Sequence, residues 1–151
     1  MAAQQANYAV FDLETTGLVP AKHGVCEVAI MIIDSVTLEE LGRYESVISS
    51  YDTVRYDKDG VKTFEPYEID SYALTVNGLT REKIDAGKPA KEVIKEMLKF
   101  CKSHMAGSKK HIPVGHNINK FDLPHFDNFF ESNKADLSKM FTSMYSIDTQ
   151  L

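Results

Sequence analysis

The sequence is short of cysteine, of basic charge and of long apolar runs, and each shortage closes off a class of protein. Its 151 residues hold two cysteines, Cys26 and Cys101, too few for a disulfide framework. Both sit inside apolar periodic segments, without the Cys or His neighbours of a zinc site. They read as small buried hydrophobes in a reducing, intracellular compartment, which points to the cytoplasm. No stretch approaches the roughly 20 apolar residues of a membrane span. Met1 to Asn7 lacks the basic and apolar regions of a secretory leader. There is no basic tract, and the formal net charge is −5. This disfavours a scaffold that grips duplex DNA by charge alone. It leaves room for an enzyme whose acidic residues bind metal ions, which in turn bind a polyanion. No repeat, low-complexity tract or linker divides the chain.

What is present suits one globular domain. A hydrophobic fraction of 43% and a charged fraction of 26% are ordinary, and a chain this long buries enough surface to need no staples. Tyr8 to Phe11 is an apolar run ending at Asp12 and reads as a buried strand. Cys26 to Ile33 reads as a second strand, and Leu41 to Ile48, which alternates, as a third. Tyr51 to Pro66 is polar with a turn signal at Asp59-Gly60, and reads as an extended excursion or loop. One or two helical turns follow over Ile69 to Val76, stopped by Asn77-Gly78, and Thr80 caps a short helix. From Pro89, Val93, Ile94, Met97, Leu98 and Cys101 mark one face of a longer helix. Ile112 to Gly115 reads as a fourth strand. A helix from Lys120 or Leu123 to Asn133 turns Phe126, Phe129 and Phe130 inward, and Tyr145 begins a fifth strand. The class is α/β with a mixed sheet, and periodicity leaves several topologies open.

Two segments carry chemistry. Asp12-Leu13-Glu14-Thr15-Thr16-Gly17 closes the first strand. Asp12 and Glu14 are two apart, so their side chains share a face. Carboxylates side by side repel unless a cation lies between them, and oxygen ligands suit Mg²⁺ or Mn²⁺ better than zinc. Acids at strand ends also occur simply as capping or solvated residues. The second segment, Gly115 to Pro124, follows the fourth strand and opens a helix. Its Asp122, alone, would serve as a helix cap; with the first pair it places a third carboxylate on a strand that could lie beside the first. Lys22, His23, Lys120 and Lys109-Lys110-His111 could meet phosphate or be solvated, and His125 reads as structural.

The strings FDLETTG at Phe11–Gly17 and GHNINKFDLPHF at Gly115–Phe126 resemble the first and second motifs of the DEDD (DnaQ-like) 3′–5′ exonuclease superfamily. The three residues between Asn117 and Phe121 are spaced as in the three-prime repair exonucleases. Glu27-Val28-Ala29 is similar to the family's Glu-Ile-Ala segment. Val76 to Thr80 is similar to its His-Gly-Ile-Thr element, with Asn77 in the His position. The resemblance implies a ribonuclease H-like mixed five-stranded sheet, a three-strand meander followed by strands 4 and 5, with flanking helices. It implies that Asp12, Glu14 and Asp122 are catalytic and hold two Mg²⁺ or Mn²⁺ ions. It also implies that Thr15, Thr16, Gly17, Leu18 and Asn117 meet the substrate, the 3′ end of single-stranded DNA or RNA, with release of nucleoside 5′-monophosphates. Phe121 is expected in the core, and Asp148 in a structural or substrate-adjacent place.

The family's third motif, His-x4-Asp or Tyr-x3-Asp after the fifth strand, has no counterpart in these 151 residues apart from the coincidental Tyr8 to Asp12. Residues 1–151 are therefore expected to be a single exonuclease domain with its C-terminal part missing, a polypeptide that on its own cleaves slowly or not at all. A homodimer or partner chain supplying the missing elements, and a non-catalytic nucleic-acid- or protein-binding module on a degenerate fold, stay open as alternatives.

Overall fold

In a computed structural model that describes residues 5–142 and 146–150, the first motif lies at the centre of a five-stranded mixed sheet. Strands β1 (Tyr8–Thr15), β2 (Val25–Ile33) and β3 (Glu40–Val47) form an antiparallel meander. After the helices the chain returns as β6 (Ile112–Gly115), parallel to β1, and β7 (Ile147–Asp148), parallel to β6. The order is β3-β2-β1-β6-β7, the ribonuclease H-like arrangement that the resemblance implied. Tyr145, the expected start of the last strand, lies outside the described residues.

Alternation in β1 sorts its side chains. Ala9, Phe11 and Leu13 are buried on one face, and Val10, Asp12 and Glu14 take the other. Helix α3 (Ala90–Ser103) and helix α4 (Leu123–Ser132) cover the first face. Val93, Ile94 and Met97 of α3 pack there, and Phe126, Phe129 and Phe130 of α4 are at most 1% exposed. The Phe11 and Phe126 rings meet edge to face at 5.4 Å, a contact that adds to plain burial. On the other face Val10, Ala29 and Met31 floor a shallow hollow of about 200 Å³ bounded by Arg43 and Glu45.

The polar excursion is ordered. It forms a hairpin, β4 (Asp52–Tyr56) against β5 (Lys62–Pro66), outside the main sheet. Asn128 of α4 docks it as a missing strand would: its amide accepts from the Val54 N–H at 3.2 Å and donates to the Val54 carbonyl at 2.9 Å. Between the hairpin and α3 lie two short helices, α1 (Ser71–Asn77) and α2 (Arg81–Asp85). Asp70 caps the first and Thr80 the second. Among the described residues no helix is long and apolar enough to cross a membrane.

Candidate active site

Asp12 and Glu14 stand at the carboxyl end of β1, opposite Ala29 and Glu27 of β2. Glu14 thus faces a second glutamate across the ladder, a like-charge neighbour that sequence alone did not reveal. Burial first, then Asp12 and Glu27, hold the Glu14 carboxyl above its ordinary range. A bulge between Glu14 and Thr15 ends the regular pairing, as bulges often do beside active sites.

Asp122 arrives by a different route. Beyond β6, Asn117 takes a left-handed conformation at φ 56°, which Asn tolerates better than most residues. Residues Ile118–Asp122 then form a single π-helical turn, closed by the Leu123 N–H on the Ile118 carbonyl. Such wide turns cluster at functional sites. Asp148 on β7 secures this turn by accepting the Asn117 N–H at 2.8 Å and the Asn119 N–H at 3.2 Å. The result is a carboxylate only 5% exposed. Burial, then the charges of Asp12, Asp148 and Glu14, push Asp122 up to about 7, the Leu13 backbone N–H offsetting part of the rise.

Glu14 and Asp122 both feel the charge of Asp12, and none of the three is in an ion pair with Lys, Arg or His among the described residues. Oxygen donors crowded without a cation suit a hard divalent ion. The cage is not closed: among the described residues no three His, Cys, Asp or Glu side chains are gathered tightly enough to grip an ion.

A pocket of about 250 Å³ opens beside Glu14. Glu14, Thr15, Gly17 and Leu18 line one side, and Tyr72, Val76 and Asn77 of α1 the other. Phe121 is part of its wall and half-buried, a correction to the core position expected for it. Leu18 is 78%, Tyr72 72% and Val76 69% exposed, so the mouth is rimmed by apolar surface. Asn77 ties α1 to the first motif by donating to the Thr15 carbonyl at 3.2 Å. A larger, open hollow of about 740 Å³ at the far end of the sheet, between Asn7, Asp34 and His104, contains no motif residue.

The remaining expected residues divide. Thr16 and Asn117 do not line the pocket. The Thr16 hydroxyl is buried, donating to the Glu68 carbonyl at 2.6 Å and accepting the Gly24 N–H at 2.9 Å, so it stitches the motif together. His23 braces the following turn: its Nδ1 accepts the Val19 N–H at 3.0 Å, and a Cβ at Gly17 would collide with its ring. His111 is buried against the Cys101 carbonyl rather than part of a solvated basic loop. His125 is 1% exposed, its ring tilted against that of Phe121 at 4.6 Å, with neither ring nitrogen hydrogen-bonded among the described residues. Tyr72 was the least accessible to sequence reasoning, because it joins the pocket only through a contact made after folding.

The model of the exonuclease family RNase_T matches residues 9–149. This chain belongs to that family. Its fold is the DnaQ-like 3′–5′ exonuclease fold. Among solved structures it is similar to Escherichia coli exonuclease I in complex with a dT13 oligonucleotide, at 18% identity and TM-score 0.68, over 94% of this chain and 27% of that one. It is similar also to an ExoI/SSB-Ct complex, at 19% identity and TM-score 0.70, over 95% and 28%. A product-bound exonuclease I matches at 19% identity and TM-score 0.69, over 95% and 29%. The exonuclease-family chain thus spans little more than a quarter of these structures' length. No curated protein matches it.

Proposed function

We propose that this chain acts as a metal-dependent 3′–5′ exonuclease on single-stranded nucleic acid, releasing nucleoside 5′-monophosphates. The observation that carries the reading is the mutual crowding of Asp12, Glu14 and Asp122 from two separate motifs, with Asp122 buried and raised to about 7. Such a cluster costs stability unless cations occupy it. Two Mg²⁺ or Mn²⁺ ions held by these oxygens would supply charge neutralisation at the phosphodiester and a water of lowered pKa. Asp12 and Glu14 offer their oxygens from one face of β1, which is paired there with β2. Asp122 adds its carboxylate from the π turn, which Asp148 keeps in place. Leu18 and Tyr72 bracket the terminal base at the pocket mouth, and Phe121 walls it. The backbone of Thr15 and Gly17 meets the 3′ hydroxyl, and Asn117 lies toward the phosphate. Two unpaired buried thiols suit a reducing, cytoplasmic setting.

The test is release of mononucleotides from a 5′-labelled oligonucleotide in Mn²⁺, with Asp12→Asn and Asp122→Asn as controls. Expected is stepwise shortening from the 3′ end, reduced at least a hundredfold in either variant, with unchanged or higher melting temperature. Undiminished shortening in both variants would refute the assignment. One observation favours a second reading, a binding module without turnover: among the described residues the carboxylates are not gathered into a closed cage. That reading expects oligonucleotide binding, no shortening, and indifference to both substitutions.

A further inference from the structure

One buried side chain behind the pocket has both of its polar atoms idle. His125 stands one turn beyond Asp122 on α4 and is 1% exposed. Neither ring nitrogen has a hydrogen-bond partner among the described residues. Burial pulls the imidazole down to about 4, so near neutral pH it carries one N–H and one lone pair. A buried donor without an acceptor is costly, and native structures rarely keep one. A matching acceptor lies opposite. The Val19 N–H donates to His23 Nδ1 at 3.0 Å. A trans peptide sends its N–H and C=O to opposite sides, so the Leu18 carbonyl is turned away from His23. That carbonyl accepts no hydrogen bond among the described residues. Its neighbours are taken, the Gly17 carbonyl by the Thr15 hydroxyl at 2.7 Å and the Val19 carbonyl by the His23 N–H at 2.8 Å. The Leu18 backbone is near enough to His125 to offset part of the effect of burial. Only an acceptor does that to an imidazole, so it is the Leu18 carbonyl that faces the ring.

We infer that His125 is a positioning residue for Leu18: with a nucleotide in the pocket, its ring N–H donates to the Leu18 carbonyl, so that His23 and His125 hold one peptide from both sides and fix the Leu18 side chain against the terminal base. Both partners belong to the pocket. Leu18 lines it, and Phe121, whose ring tilts against that of His125 at 4.6 Å, is part of its wall. The Leu18 side chain is 78% exposed, so its place at the mouth is set by its backbone and not by packing. An imidazole is not needed to fill the space, since phenylalanines occupy the neighbouring buried positions of α4 at 126, 129 and 130. His125 touches no reacting atom. The nature of the occupant rests on the nuclease reading above.

The experiment compares the full chain with His125→Phe, which keeps a ring and removes the N–H, and His125→Gln, which keeps a donor. Mn²⁺-dependent shortening of oligo(dT) gives kcat and KM for each. Expected for His125→Phe is a KM raised about tenfold with kcat within about twofold, as for one hydrogen bond made equally in the ground and transition states. His125→Gln should return KM to within about threefold of the wild type. A purely structural role would lower the melting temperature and leave KM alone. A second measurement needs no variant. In the chain carrying ¹⁵N-histidine, the His125 ring N–H resonance should move downfield when dTMP and Mg²⁺ are added. His111, already bonded to the Cys101 carbonyl at 2.7 Å, is the internal reference and should stay. Equal KM in the wild type and His125→Phe overturns the inference. So does a KM as high in His125→Gln as in His125→Phe, or a His125 resonance that does not move. If no form of the chain shortens oligo(dT), the nuclease reading fails and the resonance alone decides: a downfield move with dTMP keeps the role of His125, and no move removes it.

Discussion

The two motifs reach the same spot by unequal means. The first rides on β1, paired along its length with β2 and flanked by β6, so simple alternation aims Asp12 and Glu14 together. The second rides on a left-handed residue and one π turn, secured from a strand of only two residues. Strand position is over-determined by many bonds; turn position depends on a few. The lesson is that the first motif should withstand local change, while the second responds to substitutions well outside it.

The harshest challenge to that contrast is Gly115→Ala, at the point where the two motifs touch. A Cβ there would strike the Ile118 side chain and lie 2.9 Å from the Phe11 carbonyl oxygen. The expected cost is about 3 kcal/mol, or about 10 °C in thermal melting. Hydrogen exchange should accelerate at Asn117 and Asn119 far more than at Phe11 and Leu13. Equal acceleration in both motifs would erase the distinction.

Acid sharpens it next. Burial pushes His125 from 6.5 down to about 4, the Leu18 backbone nearby offsetting this only in part. The unfolded chain therefore binds the extra proton first. Stability is unaffected above pH 6.5 and declines as pH falls from there toward 4, by at most about 3 kcal/mol. His125→Leu should remove that part of the decline, read from denaturant midpoints across the pH range. An unchanged acid slope in the variant would show that α4 is not the sensitive element.

The smallest effect belongs to Asn117→Gly. Gly accepts φ 56° without strain, so stability should move by no more than about 0.5 kcal/mol. Retained turnover would assign Asn117's contribution to its backbone; a tenfold loss of kcat/KM would return it to phosphate contact.

Legibility tracked the same divide. Apolar runs announced β1 and β2, period-two alternation announced β3, and the apolar face of α3 announced that helix, because each pattern extends over several residues. The β4–β5 hairpin read only as a polar excursion, since Val54 buries against α4 and its partner is an amide 74 residues away. Asp122 was found by motif, but its burial was not, because that depends on the π turn. The clamp by Asp148, and the placing of Phe121 at the pocket wall, come from tertiary contact that no local period encodes.

The π turn has a consequence for how such a site tolerates change in length. An ordinary helical turn in place of Ile118–Asp122 needs one residue fewer, and each residue of shift rotates the downstream helix by about 100° around the axis. Losing a single codon here would carry the Asp122 carboxyl off the bearing shared with Asp12 while leaving every other side chain in the chain chemically intact. Swaps of identity at the exposed Asn119 and Lys120 are negotiable; deletions in this stretch are not.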